Sequence, residues 1–417
     1  MAKLSVQDIE VQGKRVLVRV DFNVPVEDRD GRMVITDDTR IRETLPTLTL
    51  LTSRGARVIL VSHLGRPDGQ VVPSMSLAPV AARLGELLAS PVRFVDQTIG
   101  PAVAEAAAAL KDGEVLLLEN VRFHPGEEQN DPAFAEQLAA VADIYVNDAF
   151  GTAHRAHAST EGVAHVVARR GGRRACGLLI AKELRFLGEE LDNPARPFVV
   201  ILGGAKVSGK ILVIDRLIEK ADAILIGGAM SYTFKLALGA TVGRSLVEPD
   251  RTQTALDALE KARARGIQFL LPKDNIAVTP VDTGKKDKKG RPKLELTQPR
   301  VNSGDTIPDA EEGVDIGPET ARAYAGVIAS ARTILWNGPM GIFEDPRFAG
   351  GTVAVARAVA DATRRGAKSI IGGGDSVKAI NQAGLQDQVT FMSTGGGASL
   401  EFLEGKVLPG VAALEDK

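Results

Sequence analysis

The chain has 417 residues, too many for one ordinary hydrophobic core, so two or three domains are expected. Its composition, 44% hydrophobic and 25% charged, is that of a globular soluble protein, and a net charge of −2 excludes the basic excess of a non-specific nucleic-acid or membrane binder. A single cysteine, Cys176, excludes an intramolecular disulfide, and no apolar run approaches the roughly 18 residues of a membrane span.

In chain order, short β-branched apolar runs at 16–20, 58–61, 115–118 and 144–146 predict buried strands, with helical periodicity over 77–88 and 132–141 between them. The pattern resumes with strands at 198–202, 223–226, 333–335, 369–371 and 389–392, and a helix over 210–220 in which Ile211, Ile214, Leu217 and Ile218 share one face. Strand and helix in alternation predict an α/β protein whose mainly parallel sheets carry helices on both faces, in two doubly wound, Rossmann-like domains. The stretch AKELRFLGEELDNPARP (181–197) has helical period until Asn193-Pro194 stops it, and reads as a helix joining the two domains. The expected boundaries are 1–174 for the first domain, 175–192 for the joining helix and 193–402 for the second domain. Two charged stretches, 282–300 and ARRGGRR (168–174), read as solvated excursions, the former a hairpin or loop. The N-terminal MAKLSVQDIEVQGKR is charged where a secretory signal needs an apolar stretch, so a cytoplasmic protein is expected.

Ligands of open α/β sheets sit at the carboxyl ends of strands. In the first half these ends are polar and cationic: VDFN (20–23), SHLGR (62–66), ENVRFH (119–124) and NDAFGTAHRAHAST (147–160). They supply Asp21, Asn23, His63, Arg66, Arg122, His154 and Arg155, with Arg40 nearby, as a small, multiply charged anion requires. In the second half the ends are glycines: LGGAK (202–206), IGGAM (226–230), IGGGDS (371–376) and STGGGAS (393–399). Glycine lets backbone N–H groups approach a phosphate at a helix N-terminus, which suits a nucleotide. One such pair alone is more often a plain strand-to-helix turn. His154-x-x-His157 lacks a third ligand and does not suggest zinc. Cys176 reads as packing, and Trp336 as core or a base-stacking surface. GGAKVSGK (203–210) falls one residue short of a P-loop, with Ile211 where a Mg²⁺-holding hydroxyl belongs.

Taken together the chain resembles the phosphoglycerate kinase family from end to end. The resemblance rests on RVDFNVP (19–25), SHLGRP (62–67), ENVRFHPGEE (119–128), NDAFGTAHRAH (147–157), LGGAKVSGKI (202–211), VDIGPET (314–320), WNGPMGIFE (336–344), GGGDS (372–376) and STGGGASLEFLEGKVLPG (393–410). It implies reversible phosphoryl transfer from 1,3-bisphosphoglycerate to Mg·ADP, in a monomer whose two domains close about a hinge helix, with the C-terminal residues 403–417 returning to the first domain. By motif, Asp21, Asn23, Arg40, His63, Arg66, Arg122 and Arg155 resemble the 3-phosphoglycerate site, with Arg40 serving the transferring group. Lys206 and Lys210 resemble the phosphate-contacting lysines. Gly372, Gly373, Gly374 and Ser376 would face the phosphates, with Arg40, Lys206, Lys210 and Gly373 at the transfer itself. Asp375 would ligate Mg²⁺, and Gly313, Asn337 and Glu344 would line the base and ribose. GGAKVSGK is then the family's lysine loop, with Gly209 where an acidic residue is common, and its P-loop spelling is a coincidence. Ala310-Glu311-Glu312 departs from the more apolar run usual there and implies a more polar base pocket. The rival readings are a P-loop ATPase, a dinucleotide-dependent dehydrogenase, which lacks its glycine signature, and a nucleotide-binding scaffold that keeps the fold.

Overall fold

The computed structural model describes residues 2–286 and 292–417. The chain divides into two compact units, Met1–Arg185 with Lys406–Lys417, and Phe186–Gly405.

The first unit holds strands β1 (Arg15–Val20), β2 (Val26–Arg29), β3 (Arg32–Ile35), β4 (Arg57–Val61), β5 (Val92–Val95), β6 (Val115–Leu118), β7 (Ile144–Asp148) and β8 (Arg174–Cys176). Six of them form one sheet in the order β5-β6-β4-β1-β7-β8, parallel throughout, while β2 and β3 make an antiparallel hairpin. The central strand β1, RVLVRV, is flanked by β4 and β7 with Val18 level with Leu60 and Val146. Val16, Leu17, Val18 and Val20 are all fully buried, which a sheet covered on both faces demands. Each such side chain contributes about 1.5–3 kcal/mol by leaving water. The chain's last residues belong to this unit: Lys3 Nζ donates to Leu414 O at 2.9 Å, and Asn147 Nδ2 donates to Gly410 O at 3.0 Å. The basic stretch 168–174 is not wholly a solvated excursion. Arg174 opens β8, is half-buried, and donates from Nη1 to Ala413 O at 2.9 Å, because the returning C-terminal segment offers carbonyls there.

In the second unit lie β9 (Phe198–Leu202), β10 (Ala223–Ile226), β11 (Gln268–Leu270), β12 (Asp274–Val278), β13 (Pro280–Lys286), β14 (Pro292–Leu296), β15 (Arg300–Ser303), β16 (Glu312–Ile316), β17 (Thr333–Asn337), β18 (Lys368–Gly372) and β19 (Phe391–Met392). The main sheet runs β11-β10-β9-β17-β18-β19, again parallel. From β9 the chain builds outward through β10 and β11, then returns to the other side of β9 and builds β17, β18 and β19. The topological switch point therefore lies between β9 and β17, where ligands of such sheets bind. A smaller antiparallel sheet, β15-β12-β16, was not legible in the sequence, and its strands carry no strict alternation. The 282–300 excursion is a hairpin of β13 against β14, and its tip, 287–291, lies outside the described residues.

The helix expected over 210–220 spans Ile211–Ile218 and buries Val213, Ile214, Leu217 and Ile218. Val213 takes the inward place assigned to Ile211, which sits half-buried in the first turn. Of the 175–192 stretch, Ala175 and Cys176 end β8, and helical backbone starts only at Leu178, as Leu178–Glu183, a widened turn at Leu184–Glu189, and Glu190–Asp192. Trp336 is fully buried in the second unit's core, its Nε1 donating to Gly338 O at 2.7 Å, so it is a core residue and not a stacking surface.

Candidate functional site

At the carboxyl end of the first sheet is a cavity of about 230 Å³. Asp21 and Asn23 follow β1, His63 and Arg66 follow β4, Arg122 sits in the turn after β6, and Arg155 follows β7; Arg40 lies in the first turn of the helix Thr39–Ser53. All seven expected side chains line this cavity together, joined by Gly65, Gly151, Thr152 and His154. The glycines and Thr152 lay inside the motifs SHLGR and NDAFGTAHR, but no charge or periodicity singled them out.

Local contacts hold the cluster in shape. Arg40 pairs with the Asp21 carboxylate. Gly65 N donates to Asn23 Oδ1 at 2.9 Å, and Arg122 donates from Nη1 to Gly65 O at 2.8 Å. Arg122 Nε also lies 3.1 Å from Glu128 Oε1. Burial acts to raise the Asp21 carboxyl, yet neighbouring His63, the Arg40 and Arg19 guanidiniums and the Asn23 N–H hold it below the usual carboxylate value. Burial pushes the Arg122 guanidinium down, and Arg19 and Arg155 add to the effect while Glu128 opposes it. Cations crowded to this degree, with few carboxylates among them, form a site for a small polyanion.

In the second unit a cavity of about 290 Å³ opens at the switch-point end of the main sheet. Its walls include Tyr232, Val314, Met340 and Ile342, with Gly313, Glu344 and Asp375 at its polar edges. Glu312, within the unexpectedly polar run, lines it too, and burial raises its carboxyl. Tyr232 and Leu246, also in the lining, had no sequence signal because the helix and loop that present them fold over from outside the sheet.

Lys210 occupies the switch point itself. Its Nζ donates to Gly203 O at 2.5 Å, beyond β9, and to Asn337 O at 2.8 Å, at the end of β17. Burial lowers this ammonium to about 8, with Asp375 partly opposing. Lys206 is exposed on the same loop. Gly372 ends β18, and Gly373 follows with φ +83°, a conformation that needs glycine, to launch the helix Gly374–Gln382. The free N–H groups of that helix's first turn make an anion site. Ser376 is fully buried and its hydroxyl accepts from Gly338 N at 2.6 Å, so its side chain braces the loop after β17. Asn337 is buried, and its Nδ2 finds no hydrogen-bond partner among the described residues. Asp375 is exposed, 3.8 Å from Lys378 Nζ. Among the described residues no group of three or more His, Cys, Asp or Glu side chains is placed to hold a metal, and no helix is long and apolar enough to cross a membrane.

The family model for phosphoglycerate kinase matches residues 6–406. The chain is 55% identical to a phosphoglycerate kinase of Chlorobium luteolum over 415 residues, covering 99% of this chain and all of that protein. It is also 55% identical to one of Prosthecochloris aestuarii over 416 residues, covering both chains in full. Among solved structures it is similar to a phosphoglycerate kinase of Coxiella burnetii, with a TM-score of 0.83, 39% identity, and coverage of 99% of this chain and 98% of that one. Both six-stranded sheets, the cationic cavity and the glycine-lined strand ends lie within the matched residues, and the chain belongs to the phosphoglycerate kinase family.

Proposed function

We propose that the cationic cavity binds 3-phosphoglycerate and that the switch-point cavity binds the adenine nucleotide, in a reversible transfer of a phosphoryl group from 1,3-bisphosphoglycerate to ADP. The observation that carries this reading is the convergence of Asp21, Asn23, Arg40, His63, Arg66, Arg122 and Arg155 on one small cavity. Such chemistry asks little of covalent catalysis. Positive charge and hydrogen-bond donors must meet the negative charge spread over the transferring group, with attacking and leaving oxygens in line. Arg40 supplies charge to that group from the substrate side. Lys206, Lys210 and the N–H groups at Gly373 and Gly374 supply it from the nucleotide side. Gly372, Asn337 and the backbone at Ser376 complete the phosphate loop, and Gly313 and Glu344 bound the base and ribose.

The nucleotide arrives with Mg²⁺, which neutralises phosphate charge when bound. An exposed Asp375 carboxylate beside the phosphate loop fits a Mg²⁺ that keeps most of its ligands from phosphate and water, while the unpartnered Asn337 Nδ2, a donor, fits a phosphate oxygen. The same reading makes the protein a cytoplasmic monomer, in keeping with its single cysteine and slightly negative charge. It assigns residues 1–174 with 403–417 to the phosphoglycerate domain, 175–192 to the hinge helix and 193–402 to the nucleotide domain.

The test is a coupled assay with 3-phosphoglycerate, ATP and Mg²⁺, in which a dehydrogenase draws off 1,3-bisphosphoglycerate and NADH loss is followed. Turnover that needs all three components supports the assignment, and Asp375→Ala then raises the Mg²⁺ concentration required. ATP binding without NADH loss favours the scaffold. Hydrolysis of ATP without 3-phosphoglycerate favours the ATPase.

A further inference from the structure

Behind the cationic cavity lies a second, fully buried layer of charge. Arg19 on β1 is inaccessible to solvent although it stands among the buried valines and leucine of that strand. Its guanidinium is shared three ways. Nε donates to Ser159 Oγ at 2.8 Å, Nη1 donates to Val20 O, and Nη2 lies 3.1 Å from His63 Nδ1. Ser159 in turn donates from Oγ to Glu127 Oε1 at 2.6 Å and from its backbone N to Glu127 Oε2 at 2.9 Å. Glu127 is fully buried as well. Tyr145 Oη closes the arrangement by donating to Ser159 O at 2.8 Å.

Hydrogen-bond chemistry fixes the direction of every link. A guanidinium nitrogen only donates, so His63 Nδ1 must accept and carries no proton. The Ser159 hydroxyl spends its one proton on Glu127, which leaves its lone pairs for Arg19. The competing arrangement, Nδ1–H toward Asp21 Oδ1, would span 3.9 Å, too long for a hydrogen bond. The proton of a neutral His63 is therefore on Nε2, the nitrogen with no partner among the described residues.

We propose that Arg19, held by Ser159 and Glu127, is a positioning residue that locks His63 as its Nε2–H tautomer, so that His63 meets the anionic substrate as a neutral hydrogen-bond donor. This rests on the reading that the cavity takes 3-phosphoglycerate. The charged groups that face His63 are Arg19, Asp21, Arg40 and Arg122. Burial holds the imidazole well below its ordinary value, Asp21 opposes this, and the three guanidiniums add to it. A second proton, on Nδ1, would also set N–H against N–H with Arg19. The consequence is specificity by shape: His63 adds direction to a site whose arginines already supply charge.

The test is nitrogen NMR of the full chain with labelled histidine, the His63 signals being identified by their loss in His63→Gln. Wild-type His63 is expected as the Nε2–H tautomer, with no protonation between pH 6 and 8, and its signals should move when 3-phosphoglycerate is added. In Arg19→Met, or in the milder Ser159→Ala should that variant not fold, His63 should populate both tautomers and its midpoint should move up from the wild-type value, burial still holding it below the ordinary one. Its KM for 3-phosphoglycerate should rise at least about twofold over wild type at pH 7, with kcat less affected, because part of the His63 population then turns an acceptor nitrogen to the anion. An Nδ1–H tautomer or an ordinary midpoint in the wild type, with signals that still respond to substrate, overturns the inference and leaves the site reading standing. A folded Arg19→Met protein whose His63 keeps the wild-type tautomer and midpoint overturns it too. Histidine signals untouched by saturating 3-phosphoglycerate in an active enzyme overturn the site reading itself.

Discussion

Lys210 makes the most exacting prediction. Its ammonium is buried between Gly203 O and Asn337 O, and burial lowers it from the usual 10.5 to about 8. Phosphate oxygens brought beside it would restore a value near the ordinary one. Nucleotide binding then takes up a proton wherever the free enzyme has lost it. The protonated form is the one that binds, so affinity is full below pH 8 and falls as pH rises through it. About half a proton should be taken up at pH 8 and about nine-tenths at pH 9, and the affinity for Mg·ADP should drop about tenfold from pH 7 to pH 9, or ~1.4 kcal/mol. Titration calorimetry at each pH, in two buffers of different ionisation enthalpy, counts the protons directly. In Lys210→Met the affinity should be weaker at pH 7 and the proton uptake should vanish. Equal affinity at pH 7 and 9 with no proton uptake in the wild type would refute the reasoning, because an ammonium buried against two carbonyls could not then have been the group that meets the phosphates.

Arg40→Ala should cut kcat by about 10²–10³ while the KM for 3-phosphoglycerate moves less than about threefold, because its contribution belongs to the transition state; weakened binding with normal turnover in the coupled assay would remove that role. Gly313 has no room for a methyl group, since a Cβ would overlap Tyr232 Oη and stand 2.7 Å from Ile307 Cδ1. Gly313→Ala should therefore cost about 1–3 kcal/mol, seen as a Tm lowered by several degrees, and weaken nucleotide binding by displacing a wall of its cavity. An unchanged Tm and affinity would show that Tyr232 is free to move. Asp148 is fully buried, its Oδ1 accepting from Leu179 N at 2.9 Å and Ile180 N at 3.2 Å, and burial raises its carboxyl from 3.8 to about 7. The folded form holds the proton more tightly, so the stability it contributes is complete below about pH 4 and is lost as pH rises through 7. Asp148→Asn should remove that component, worth up to a few kcal/mol, and urea unfolding at pH 5 and pH 8 measures it; the same difference from wild type at both values would dismiss it.

Much of this was legible in the sequence because its signals are local. Strand and helix periods revealed the parallel sheets, since a strand covered on both faces must be largely apolar, as β9 is throughout and β1 is apart from Arg15 and Arg19. The residues after each strand named both candidate sites, because chain direction alone places them at one sheet edge. By itself the sequence thus determined the fold class, the cationic and glycine-rich make-up of the two strand-end sets, and the family. The tertiary structure decided what depends on distant segments meeting. Strand order put Lys210 at a switch point 127 residues in sequence from the Asn337 carbonyl it bonds. The antiparallel β15-β12-β16 sheet escaped the sequence because β16, EGVDI, has neither an apolar run nor strict alternation, and its Val314, Asp315 and Ile316 become buried only when the chain folds. Arg19 is the sharpest case. Within RVLVRV it reads as a polar interruption, and only folding brings it Ser159 from 140 residues away and His63 from 44. A buried charge is tolerable only where partners satisfy it, and those partners are a property of the packed structure.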